Sequence, residues 1–227
     1  MFERLYASPW HHPGIAFIAA LAFVLLWARG QAFLGAWTTL FLFEIVLDAM
    51  VTGGFAPVPK GSSLEQNLSI AFVILGDLRY FVLVEVFVRS RAAPHGLGPP
   101  VGWLYGTLLA FIVPVTSVVP QKIWPATFEN VRMIFLVYEL MMFTLVITLR
   151  LAVLPRRLES FEGPLRSWLL RITTFVLVQY GLWATADIII LSGVDAGHLL
   201  RLLPNALYYG AFVPFVFLTA PGSARAT

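Results

Sequence analysis

Seven apolar stretches of about twenty residues run through the chain, and no polar stretch between them is long enough to fold by itself. An α-helix needs roughly that length to cross a bilayer, because lipid offers the backbone no hydrogen-bond partner and a helix satisfies its own. The stretches are 13–29, 32–54, 67–89, 101–120, 130–151, 168–192 and 199–219. The breaks carry turn chemistry: "GGFAPVPKGSS" (53–63), "RSRAAPHGLGPP" (89–100) and "PQKIWPATFEN" (120–130) are rich in Pro and Gly. The pattern predicts an all-α, polytopic transmembrane helix bundle of seven spans, forming one integral membrane domain over residues 1–227. Composition agrees. The chain is 59% hydrophobic and 12% charged, against about a quarter charged in a soluble domain.

The first stretch has a signal-peptide-like apolar core, but Glu3 lies beside Arg4 ahead of it and Arg29 follows it, which favours a retained helix. Orientation follows from Lys and Arg in the loops. With seven spans, five such residues fall on the side of the N-terminus and nine on the other, led by Arg150, Arg156, Arg157, Arg166 and Arg171. The expectation is an N-terminus outside and a C-terminus in the cytoplasm of a cell membrane. Preference for Ala, Leu, Arg and Gly over Lys suggests a bacterial inner membrane. The basic 150–171 segment, with Glu159 and Glu162, reads as a solvated loop or a short helix lying on the inner leaflet. The net charge of +3 sits in loops; it suits contact with anionic membrane lipids and gives no reason to expect nucleic acid. The absence of cysteine excludes disulfides, thiolate chemistry and iron–sulfur clusters.

Within this apolar background the stretch "LFLFEIVLDAM" (40–50) is unusual. Glu44 and Asp48 are four residues apart, so both project from one face of the second span. An ionisable group at the bilayer centre costs about 2.5–3.5 kcal/mol on insertion scales, so such groups face the bundle interior or a wet cavity. The third span carries Asp77, Arg79 and Glu85, the fifth Glu139, and the sixth Gln179 and Asp187. Counting depth along alternating helices places Glu44, Asp48, Asp77, Glu139 and Asp187 between the midplane and the outer surface. Two carboxylates one turn apart do not both stay charged in a dry site unless a cation or an arginine joins them. Glu44, Asp48, Asp77, Arg79, Glu139 and Asp187 are therefore the candidate ligand-binding residues. The competing reading makes them struts, paired with Arg79 and Arg132. Glu85 is expected to snorkel to the inner interface, Asn205 after Pro204 to cap the last span, and Trp37, Trp103 and Trp124 to sit at interfaces. The glycine pair Gly98 and Gly102 falls at a Pro-rich loop and reads as a weak helix-contact signal.

No catalytic residue or cofactor is identified. His11, His12, His95 and His198 fall in tails or loops without the i, i+4 spacing of a helical metal site, so no metal is expected. Seven spans with an outside N-terminus is also the arrangement of the microbial rhodopsins, but 199–219 holds no lysine for a retinal Schiff base. "LGD" (75–77), "TAD" (185–187) and "YYGA" (208–211) resemble the lysoplasmalogenase hydrolases, which would give Asp77 and Asp187 roles; Ala186 stands where that family has serine, and its histidine is missing. The sequence assigns no family. A small transporter or permease for a proton, cation or small solute fits an acidic cavity best. The alternatives are a lipid-modifying membrane enzyme and a sensor or accessory subunit with a protein partner in the membrane.

Overall fold

A computed structural model describes residues 1–8, 21, 33–52, 58–59, 62–92 and 98–225, and every regular element among them is helical. In chain order these are α1 (Phe2–Tyr6), α2 (Phe33–Thr52), α3 (Ser63–Ala92), α4 (Gly98–Ile123), α5 (Val131–Thr148), α6 (Leu154–Arg157), α7 (Gly163–Leu191), α8 (Ala196–Ala206), α9 (Phe212–Thr219) and α10 (Gly222–Arg225). Among the described residues five segments are long and apolar enough to cross a membrane: Phe33–Val51, Gly98–Ile123, Val131–Arg157, Gly163–Leu191 and Ala196–Thr219. The expected first span, 13–29, lies outside the described residues. The expected third span is the 30-residue α3, which is long enough to cross but is not among those five.

Helix α3 forms the middle of the bundle. From Tyr80 to Val88 every side chain is buried, so this half of the helix is enclosed on all sides rather than along one stripe. It packs on α2, α4 and α7. By contrast α4 turns a continuous apolar face outward, with Leu104, Leu108, Ile112, Val115 and Val119 all exposed. A face of that size is costly in water and neutral in lipid.

The α3–α4 contact rests on small residues. Gly98, Gly102 and Gly106 lie four apart on one face of α4, against the backbone of α3. A Cβ on Gly102 would stand 2.5 Å from the Val86 Cα, and one on Gly106 2.6 Å from the Val82 Cα. The glycine pair read as part of a loop is instead the first turns of a helix, and its spacing lets two backbones approach where hydrophobic driving force between helices is absent.

Prolines set two irregular turns. Pro155 has no N–H to give the Leu151 carbonyl, and α5 passes through a π-turn at Leu149–Val153 before α6. Pro214 likewise cannot serve the Gly210 carbonyl, and the chain between α8 and α9 widens into a π-turn at Leu207–Ala211. The segment read as a solvated loop or a short surface-lying helix is partly folded into the protein: Leu154, Leu158 and Leu165 are buried in the common core. Trp37 is also a correction. It is fully buried, and its indole N–H donates to the Arg79 carbonyl at 3.0 Å, so it braces α2 on α3 instead of marking an interface. Trp124, in contrast, is exposed beyond the end of α4.

Candidate functional site

All six sequence-selected side chains are buried: Glu44 and Asp48 on α2, Asp77 and Arg79 on α3, Glu139 on α5 and Asp187 on α7. They do not form one knot. Three linked groupings surround a cleft at the end of the bundle where α2 and α7 finish and α3, α5 and α8 begin.

The first grouping is ionic. Arg201 on α8 lies between two acids, with Nη1 3.1 Å from a Glu139 carboxylate oxygen and hydrogen-bonded to Asp187. Arg132 reaches the same Asp187 oxygen at 3.4 Å. The Arg201 Nε donates to the Tyr6 hydroxyl at 3.2 Å, which draws α1 onto α8. The second oxygens of Glu139 and Asp187 are buried without a hydrogen-bond partner.

In the second grouping the Tyr138 and Tyr180 hydroxyls both donate to Asp77, one to each carboxylate oxygen. The third lies deeper. The Arg79 guanidinium stacks on the Tyr208 ring, 3.8 Å from its centre, and its Nη1 makes no hydrogen bond. Both Glu44 oxygens are also without a partner, and so is the Gln179 amide oxygen. Asp48, one turn from Glu44, interacts with Tyr209.

The cleft between these groupings has a volume of about 220 Å³. Its lining runs from buried Asp48, Glu139 and Tyr180 to half-buried Tyr6, Ser69 and Asn205, so it enters from outside rather than forming a sealed void. A smaller void beneath it is lined by Asp77, Arg79, Gln179 and Tyr180. Tyr208 belongs to both, and its ring separates the cleft from Arg79. Among the described residues no three His, Asp or Glu side chains converge as metal ligands.

Sequence reasoning did not place in the site Arg201, which it counted as a loop cation, or the tyrosines Tyr138, Tyr208 and Tyr209. One signal was available for the last two: adjacent tyrosines shortly before Pro214, where a lost backbone hydrogen bond loosens the helix. The π-turn there lets both neighbours line the cleft. Asn205 does not cap a helix; it sits inside α8 and accepts from the Trp183 indole at 2.8 Å. Glu85 does not snorkel. It is buried at the opposite end of the bundle, where Arg157 donates at 2.5 and 2.9 Å and Arg89 at 2.9 Å.

The long apolar helices, their outward apolar faces and the buried ionisable interior are those of a multi-pass membrane protein. Comparison with protein-family models, curated proteins and solved structures returned no match.

Proposed function

We propose that this protein is a small membrane carrier that takes a proton, a cation or a small solute into its cleft. The observation that supports this is charge imbalance. Among the described residues at the cleft end of the bundle, four buried carboxylates, Glu44, Asp77, Glu139 and Asp187, stand against three guanidinium groups, those of Arg79, Arg132 and Arg201. An interior of ion-pair struts alone would balance. Here protons or a bound cation make up the difference, since uncompensated charge is too costly to bury. The cleft is smaller than the roughly 300–1,000 Å³ of a drug-sized site, which suits a small solute. At the other end Glu85, Arg89 and Arg157 tie α3 to α6, an arrangement that would close the bundle on that side while the cleft is open on this one.

The test uses purified protein in liposomes, with proton movement read by an entrapped pH dye under an imposed cation gradient. The parent is expected to move protons or the cation. Asp48→Asn and Asp77→Asn keep size and remove charge, and each is expected to abolish that movement while the variant still inserts and melts cooperatively. A parent protein with no detectable flux would end the carrier reading.

In the proposed orientation the cleft faces outward and the turn at 158–162 faces the cytoplasm. The native chain has no cysteine, and Ser160 is exposed in that turn, so Ser160→Cys gives a single reporter. An impermeant thiol reagent is expected to label it only after cells are opened. Labelling in intact cells would reverse the orientation.

A further inference from the structure

We propose that the cleft binds a small organic ammonium ion, an inference that rests on the carrier reading and names its substrate class. Three features of the lining point to this chemistry. The first is its aromatic wall. Tyr138, Tyr180, Trp183, Tyr208 and Tyr209 meet around one space of about 220 Å³. Aromatic faces carry negative potential and attract cations within about 6 Å of the ring centre, most strongly when the cation is desolvated. The site already shows the preference, since Arg79 occupies the hidden face of Tyr208.

The second is the counter-charge. Asp48 and Glu139 line the cleft and are 3% exposed each. One Glu139 oxygen holds Arg201, and the other is buried with no hydrogen-bond partner. A carboxylate oxygen left bare costs free energy, which an ammonium N–H, or a methylammonium packed against it, would recover. Arg201 also lines the cleft, but its charge is already engaged by Glu139, Asp187 and Tyr6.

The third feature separates an organic cation from a metal ion. A small dense cation needs several oxygens at about 2.0–2.6 Å. The acids here are spread around the space rather than gathered, with rings between them. A diffuse cation with apolar surface uses both parts of that lining: the rings meet its carbon, the carboxylates its charge.

The experiment is calorimetric titration of the purified parent protein with choline and with 3,3-dimethyl-1-butanol, its neutral isostere of the same shape. Choline is expected to bind at least about tenfold more tightly, a ratio that only charge recognition produces. Trp183→Phe keeps a ring and is expected to retain most of the affinity. Trp183→Leu keeps apolar bulk without a π face and is expected to lose it, with the melting temperature of the ligand-free protein reported for both. Equal affinity for the two probes would reduce the cleft to an apolar hole and overturn the proposal. Absence of choline binding alongside measurable proton or metal-cation flux would overturn it and leave the carrier reading standing. Selective choline binding without flux of any cation, choline included, would uphold the site and remove the carrier.

Discussion

Arg201→Gln is expected to destabilise the protein by about 3–5 kcal/mol, the typical cost of leaving buried charge without its partner. Arg201 holds Glu139 and Asp187 together, and both acids are almost wholly buried. Without the guanidinium, two almost wholly buried carboxylates face each other, and only Arg132 remains for Asp187. The measurement is thermal unfolding in detergent. A second variant sharpens it: adding Asp187→Asn to Arg201→Gln removes one of the two charges, and with it their mutual repulsion, and is expected to recover much of the loss, because residues in one ion network are not additive. Arg201→Gln melting like the parent would mean that the network is open to solvent. The same change also frees the Tyr6 hydroxyl, so α1, which the Phe2 and Glu3 backbone N–H groups also tie to Asp195, loses one of its anchors.

The opposite end of the bundle gives the second large effect. Arg89→Gln with Arg157→Gln is expected to cost a similar amount, about 3–5 kcal/mol, because Glu85 is left buried without either guanidinium. Each single change is expected to cost clearly less. The arginine side chains are 28% and 29% exposed and share one carboxylate, so the remaining one takes over part of the work. The readout is thermal unfolding together with proteolysis in the turn at 158–162. Arg157 is the last residue of α6 and holds this segment back against α3, so its loss should release the turn to protease before the bundle melts. Double-variant stability equal to that of the milder single variant would show that Glu85 finds another partner or sheds its charge.

The helices were legible because their cause is local. Length and apolarity dictate a self-bonded backbone in lipid, and the bounds read for the second to seventh stretches lie close to α2 through α9. Burial of Glu44, Asp48, Asp77, Glu139 and Asp187 was legible for the same reason: no charged side chain at that depth faces lipid cheaply. The errors have a common source as well. Trp37, Glu85 and Asn205 were each given the partner that the membrane surface or their own helix would supply. Each took one from another helix instead: the Arg79 carbonyl, Arg157 and Trp183. The glycines of α4 were discounted because a Pro-rich stretch reads as a loop, although Pro is tolerated in the first turn of a helix.

What the sequence determined by itself is thus the helical, membrane-compatible architecture and the fact that acids lie inside it, since both follow from the cost of moving polar groups out of water. The tertiary structure decided which acid meets which cation, which tyrosine closes on which carboxylate, and where a cleft remains. Those outcomes depend on contacts between residues far apart in the chain, such as Arg201 with Glu139 or Tyr180 with Asp77. A hydrogen bond or ion pair of that kind is set by the rotation of one helix against another, and local composition carries no record of it.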